Sequence, residues 1–179
     1  DVTDDEKTQA LRKQNVEYVM ALSEEDMIAL VPRQSGIAYT DCPNCDYGQQ
    51  EWDIFDWSPE QPERITCKGC GAVYPNNPQY PDPDYLSVKA PEGEHRYYYY
   101  ERPDGYRIFF RAHADYLAAQ YMAQRCQELA ELYQTTGEER YARRSALVLI
   151  RFAQVYPGWA HKFDYPFQQK IFSPYDKDR

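Results

Sequence analysis

The 179-residue sequence has no run of 18 apolar residues, so it lacks a segment able to cross a bilayer as a helix. Basic charge is also in deficit, with 20 Lys+Arg against 29 Asp+Glu and a net charge of −9. That deficit argues against a sequence-independent grip on nucleic acid, which depends on Lys and Arg neutralising phosphates. The chain begins at Asp1 with neither an initiator Met nor a basic-then-apolar leader, and so reads as a processed form or an excised piece. It stops at Asp176-Lys177-Asp178-Arg179 without a closing element and is taken as a fragment. Apolar material, by contrast, is plentiful. With 42% hydrophobic residues and 18 tyrosines, the sequence can build a core, and the expectation is one soluble globular domain, or one domain with a small module.

Residues 3–31 read as two short helices. Thr3-Asp4-Asp5-Glu6 is a capping-box pattern, in which the hydroxyl and the carboxylate each satisfy a free backbone amide. Ser23-Glu24-Glu25-Asp26 repeats the start signal, and Pro32 stops the segment. Residues 36–83 change texture, with four cysteines, many Pro, Asn and Asp, and little periodicity; they predict an irregular module held by something other than a core. Aromatic runs at 95–100 and 106–111 flank Pro103-Asp104-Gly105, which predicts a β-hairpin. Strand alternation would send Tyr97 and Tyr99 to one face and Tyr98 and Tyr100 to the other, so at most half of that tyrosine run shares one surface. Leu117, Tyr121, Cys126, Leu129 and Leu132 make one helical stripe over 114–134, and Tyr141, Ala142, Ala146, Leu149, Ile150 and Ala153 make another over 138–156. Gly137 suits the left-handed stop between them. The result is an αα-hairpin that cannot bury both faces alone, so further partners are expected, and no second copy of it exists in the chain. The organisation expected is 1–35 N-terminal helices, 36–94 cysteine insertion (zinc-ribbon-like) and irregular segment, and 95–179 hairpin, helices and aromatic loop.

Cys42-Pro43-Asn44-Cys45 and Cys67-Lys68-Gly69-Cys70-Gly71 are two C-x-x-C pairs separated by 21 residues. Each pair can converge two sulfurs on one ion, and two pairs complete a tetrahedral four-sulfur zinc site. Cys42, Cys45, Cys67 and Cys70 are therefore the predicted metal ligands, with Gly69 and Gly71 giving the knuckle its backbone freedom. Four thiolates leave no open position, so the zinc would be structural. Two disulfides, or a thioredoxin-like redox pair, are the competing readings; no βαβ pattern surrounds either pair. Cys126 falls on an apolar stripe and reads as a small buried hydrophobe. Asp41, Asp46, Glu51, Asp53, Asp56, Glu60 and Glu63 surround the knuckles against only Arg64 and Lys68. This balance weakens the reading of a zinc-ribbon adaptor for nucleic acid or protein.

Taken in order, Leu30-Val31-Pro32, the CPNC knuckle, Trp52 and Trp57, the run from Cys67 to Asn77, the aromatic hairpin and the segment from Glu131 to Pro157 resemble the amino-terminal part of heparinase II/III-like proteins. The likeness extends over most of the chain; the knuckle followed by Tyr-Pro-Asn-Asn is its most specific phrase. The resemblance implies a mainly α fold, a partial α/α toroid of helical hairpins with an inserted four-cysteine zinc ribbon and a small β-hairpin. It also implies a polysaccharide lyase acting outside the cytoplasm, secreted or periplasmic, on acidic, uronic acid-containing chains. The rest of the toroid and the family's β-sandwich are not in this sequence, so partners would include the remainder of the same enzyme or a second chain, and the catalytic groups would lie mostly there. A non-catalytic carbohydrate-binding or assembly protein on the same scaffold is the alternative.

β-Elimination needs a base at the proton beside the uronate carboxylate, a group neutralising that carboxylate, and an acid at the leaving oxygen. No residue here is assigned those roles. For substrate binding, Trp159, His161 and Tyr165 lie in an aromatic loop after the second long helix, where Trp and Tyr faces stack on sugars. Arg111, His113 and Tyr116 open the first long helix and could face the same cleft. Arg144 and Arg151 are read as a solvated face or ion pairs.

Overall fold

Helix punctuation visible in the sequence sets the first elements. The computed structural model describes residues 4–38, 40–48, 53–159, 162–163 and 171–172. Helix α1 spans Asp4–Ala21 and α2 spans Glu24–Ala29. Ser23 caps α2 by accepting the Asp26 amide at 3.0 Å, and Glu24, Glu25 and Asp26 place negative charge at the positive end of its dipole. Thr3, which begins the other capping box, lies outside the described residues. Helix α3 covers Phe110–Thr136 and α4 covers Glu139–Val155, followed by a 3-10 turn at Tyr156–Gly158. Gly137 stands between them at φ 70°, and its amide reaches the Tyr133 carbonyl at 2.8 Å.

The chain divides into two compact units, Asp1–Val31 with Ala119–Gln154, and Pro32–Ala118 with Val155–Arg179. In the first unit, Val16, Val19, Met27, Met122, Leu129, Leu132 and Val148 are all at most 1% exposed. Cys126 is buried as its stripe predicts, and Ser145 Oγ donates to its carbonyl at 2.9 Å, so α3 and α4 lie side by side there. The α4 stripe divides differently from expectation. Tyr141, Ser145 and Val148 are buried, whereas Ala146 and Ala153 are exposed and Leu149 and Ile150 are 59% and 54% exposed. Arg144 is not a solvated charge: it donates to the Val19 carbonyl at 2.7 Å and the Leu22 carbonyl at 2.8 Å. It thereby satisfies acceptors that the end of α1 leaves unpaired.

The second unit holds antiparallel sheets. Strands β1 (Phe55–Trp57), β2 (Ile65–Cys67) and β3 (Val73–Tyr74) form one in that order. Strands β4 (Asp84–Ala90), β5 (Gly93–Glu101) and β6 (Arg107–Ile108) form the next, and β7 (Lys162–Phe163) pairs with β8 (Ile171–Phe172). The expected hairpin at 95–111 is present only as two residue pairs, Tyr100 with Ile108 and Glu101 with Arg107. The main partner of β5 is β4, in register from Asp84 opposite Tyr99 to Ala90 opposite Gly93, inside the segment expected to be irregular. The second aromatic run is short as a strand because Phe110 already begins α3. Alternation holds: Tyr97 is fully buried with Val88 and Phe109, Tyr99 packs on that cluster, and Tyr100 packs on the other.

The expectation of a coreless insertion is corrected as well. Ile54, Phe55, Ile65 and Tyr74 are at most 2% exposed and share one cluster with Tyr106, Ile108 and Phe110. The fold class is thus helix plus small antiparallel sheets, rather than mainly α alone. The described residues include one long helical hairpin, α3 with α4, and no ring of such hairpins.

Candidate metal centre

The two knuckles come from different sources. Cys42 and Cys45 sit in a loop, Cys67 ends β2, and Cys70 lies in the turn leading to β3. A hydrogen bond from the Cys67 amide to the Ala72 carbonyl at 2.8 Å and one from the Gly71 amide to the Cys67 carbonyl at 2.8 Å tighten the second knuckle. Gly71 has φ +72°, where a side chain is strained, and a Cβ at Gly69 would stand 2.4 Å from Cβ of Tyr47. These contacts explain the glycine-rich phrase.

The four sulfurs all lie within 4.8 Å of one another. Cys42 to Cys70 is 3.6 Å and Cys45 to Cys67 is 3.7 Å. A disulfide requires about 2.05 Å, and all four cysteines are free thiols, so the arrangement departs from the disulfide reading. Four ligands at a metal–sulfur distance of about 2.3 Å stand about 3.8 Å apart in a tetrahedron, close to the shorter separations here. The donor set therefore fits a metal ion.

Backbone amides stabilise thiolates against the opposing effect of burial. Backbone amides of Asn44, Tyr47 and Ala72 hydrogen-bond the sulfurs of Cys42, Cys45 and Cys70, each two residues behind its amide. The Asn44 side chain hydrogen-bonds Cys70 and accepts the Tyr80 hydroxyl at 3.2 Å. That hydrogen bond draws the Cys70 thiol down to about 6, while burial pushes Cys42 up to about 12. A shared cation would hold both deprotonated, since metal binding displaces the thiol protons. The Tyr74 hydroxyl approaches Cys42 Sγ at 3.4 Å, and its ring stacks on Phe110 at 4.1 Å. Tyr74 thus ties the metal site to the first residue of α3. Asn44 carries no signal of its own in the sequence beyond its place inside a knuckle, and Tyr74 enters there only as the first residue of the Tyr-Pro-Asn-Asn phrase.

Of the residues expected to bind substrate, the structure brings His113 and Tyr116 together, with stacked rings. His113 is fully buried, with Nδ1 2.9 Å from the Ile37 carbonyl and its ring 5.5 Å from Phe55. Burial lowers its pKa to about 4. The ring is enclosed by its own fold. Arg111 pairs with Asp82 at 2.8 Å. Tyr116 is partly buried with its ring 5.8 Å from His113. Trp159 caps the 3-10 turn, 5.9 Å from the Tyr156 ring. His161 and Tyr165 lie outside the described residues.

Compared with known proteins, the chain matches no family model, no curated protein and no solved structure. No helix among the described residues is long and apolar enough to cross a membrane.

Proposed function

We propose that the four cysteines bind structural zinc and that the chain is the opening part of a polysaccharide lyase resembling the heparinase II/III-like proteins. Four soft thiolates in a tetrahedral cluster suit Zn²⁺ and close its coordination sphere, so the ion fastens the fold and takes no part in chemistry. The reaction proposed is β-elimination on a uronic acid-containing polysaccharide, with the proton-moving groups mostly in other parts of the toroid.

The observation supporting the toroid is the outward face of α4. Leu149 and Ile150 are each more than half exposed and, with Ala146 and Ala153, form a continuous apolar strip at helical spacing. An α/α ring stacks its next helical hairpin on such a face, which is otherwise uncommon on a solvated helix. The test follows the absorbance of the unsaturated product with uronic polysaccharides. The expected result is no product from this chain and product from the complete polypeptide. Zinc-loaded protein of both lengths that yields no product supports the non-catalytic carbohydrate-binding alternative and overturns the lyase.

A further inference from the structure

In the β4–β5 ribbon, Tyr85 stands directly opposite Tyr98, on the face away from the buried Val88, His95 and Tyr97. Their ring centroids are 5.4 Å apart, and Tyr85 is 42% exposed. A guanidinium lies against each ring, Arg96 at 4.8 Å from Tyr85 and Arg111 at 5.1 Å from Tyr98. Arg111 also donates from Nε to Asp82 at 2.8 Å. Asp82 in turn forms a wall of a cleft of ≈ 310 Å³ with Asn76, Asn77, Pro78, Pro81 and Pro83. Asn77 is committed to its own loop, donating to the Val73 carbonyl and accepting the Gln79 amide. Three prolines with fixed φ stiffen that wall, which lowers the ordering cost of binding.

From this juxtaposition we infer a saccharide-binding site in the second unit, in which the cleft lined by Asn76 and Asp82 has room for about two sugar rings and Arg111, Tyr98 and Tyr85 continue it through the Asp82–Arg111 pair. The two rings are inclined at 54°, so the C–H face of a pyranose would cover the exposed Tyr85 ring, with Tyr98 as a side wall. Asp82 accepts from Arg111 Nε at 2.8 Å and Nη2 at 3.4 Å, which fixes the half-exposed guanidinium so that its remaining N–H groups can donate to a ligand oxygen, and the Asn76 amide offers both a donor and an acceptor. A phosphate would meet the Asp82 carboxylate, and a wholly apolar ligand would strip water from these polar groups without replacing it. The cleft extends the polysaccharide reading but requires none of its chemistry.

Calorimetric and NMR titration of the zinc-loaded chain with hexagalacturonate and, separately, cellohexaose tests the inference. Binding of at least one is expected, with amide shifts concentrated at residues 76–85 and 96–111. Binding of the acidic probe alone assigns Arg111 to the carboxylate; binding of both assigns the ring surface as the main contact. Tyr85→Ala is expected to weaken binding about tenfold, and Asn76→Gly about fivefold. Glycine accepts the φ of 67° found at Asn76, so the second variant keeps its fold. Silence with both sugars at about 10 mM, or full affinity in a folded Tyr85→Ala, overturns the cleft. Binding without product from the complete polypeptide overturns the lyase alone. Product with undiminished binding in Tyr85→Ala overturns the cleft alone.

Discussion

The cysteine ribbon and the helical unit reach order by opposite routes. Strands β1 to β3 have three, three and two residues, too short to hold a sheet through their own ladders. Their apolar residues find partners far along the chain, as when Tyr74 stacks on Phe110. In the helical unit, Cys126, Leu129 and Leu132 recur at helical spacing along α3 and are all buried, so each turn presents the next contact. Regular periodicity carries one region. In the other, a four-cysteine cluster that fits a metal ion and long-range aromatic contacts replace it, and with metal bound there its stability should depend on conditions that leave the helices unaffected.

The largest effect expected is therefore metal loss. Chelation, or Cys67→Ser, should remove bound zinc and collapse the aromatic near-UV dichroism of the second unit while much of the helical signal persists. Structural zinc sites contribute on the order of 10 kcal/mol, so unchanged metal content and unchanged melting would refute the centre. The converse perturbation is Leu129→Ala, fully buried in α3. It should cost about 2–5 kcal/mol by thermal or denaturant melting, with zinc content intact. A variant that lost zinc as readily as Cys67→Ser would erase the contrast between the two regions.

Asp115 gives a smaller, pH-dependent effect. Burial raises its pKa from 3.8 to about 7, against the lowering influence of the Gln34 hydrogen bond. The unfolded chain ionises first, so folding stability falls as pH rises from about 4 through 7. Asp115→Asn should gain about 1–2 kcal/mol over the parent at pH 8 and nothing at pH 4, the full linkage being reduced because the residue keeps some solvent contact. Denaturation midpoints at the two pH values check this, and equal differences at both would remove the buried carboxyl from the account.

Tyr74→Phe keeps the Phe110 stack and deletes the hydroxyl beside Cys42. It should cost about 1 kcal/mol and weaken metal affinity about tenfold, read by competition with a chelating dye. The smallest stability change belongs to α4. Leu149→Ser with Ile150→Ser should shift stability by only about 0.5 kcal/mol while raising solubility; a loss of several kcal/mol would mean that this face is covered.

Much of the helical unit was legible in advance because caps, stops and apolar spacing are local. Ser23, Pro32 and Gly137 mark boundaries that the structure keeps. What went unread there is which stripe of α4 turns inward: two apolar stripes coexist, and packing rather than periodicity selects Tyr141, Ser145 and Val148. Arg144 was misread for the same reason, since an arginine that caps another helix looks identical in sequence to a solvated one. In the second unit, β4 was hidden because Asp84-Tyr85-Leu86-Ser87 has weak alternation, and it becomes a strand by pairing with β5.

The sequence by itself determined the four-sulfur cluster and the helical hairpin, because C-x-x-C spacing and 3.6-residue periodicity constrain atoms only a few bonds or one turn apart. Tertiary structure alone decided that the ribbon shares its core with the start of α3, that His113 is enclosed, and that Tyr85 and Asp82 belong to one surface with Arg111. Those juxtapositions join residues that the chain's order does not relate, and only the competition among apolar side chains for the same buried volume fixes them.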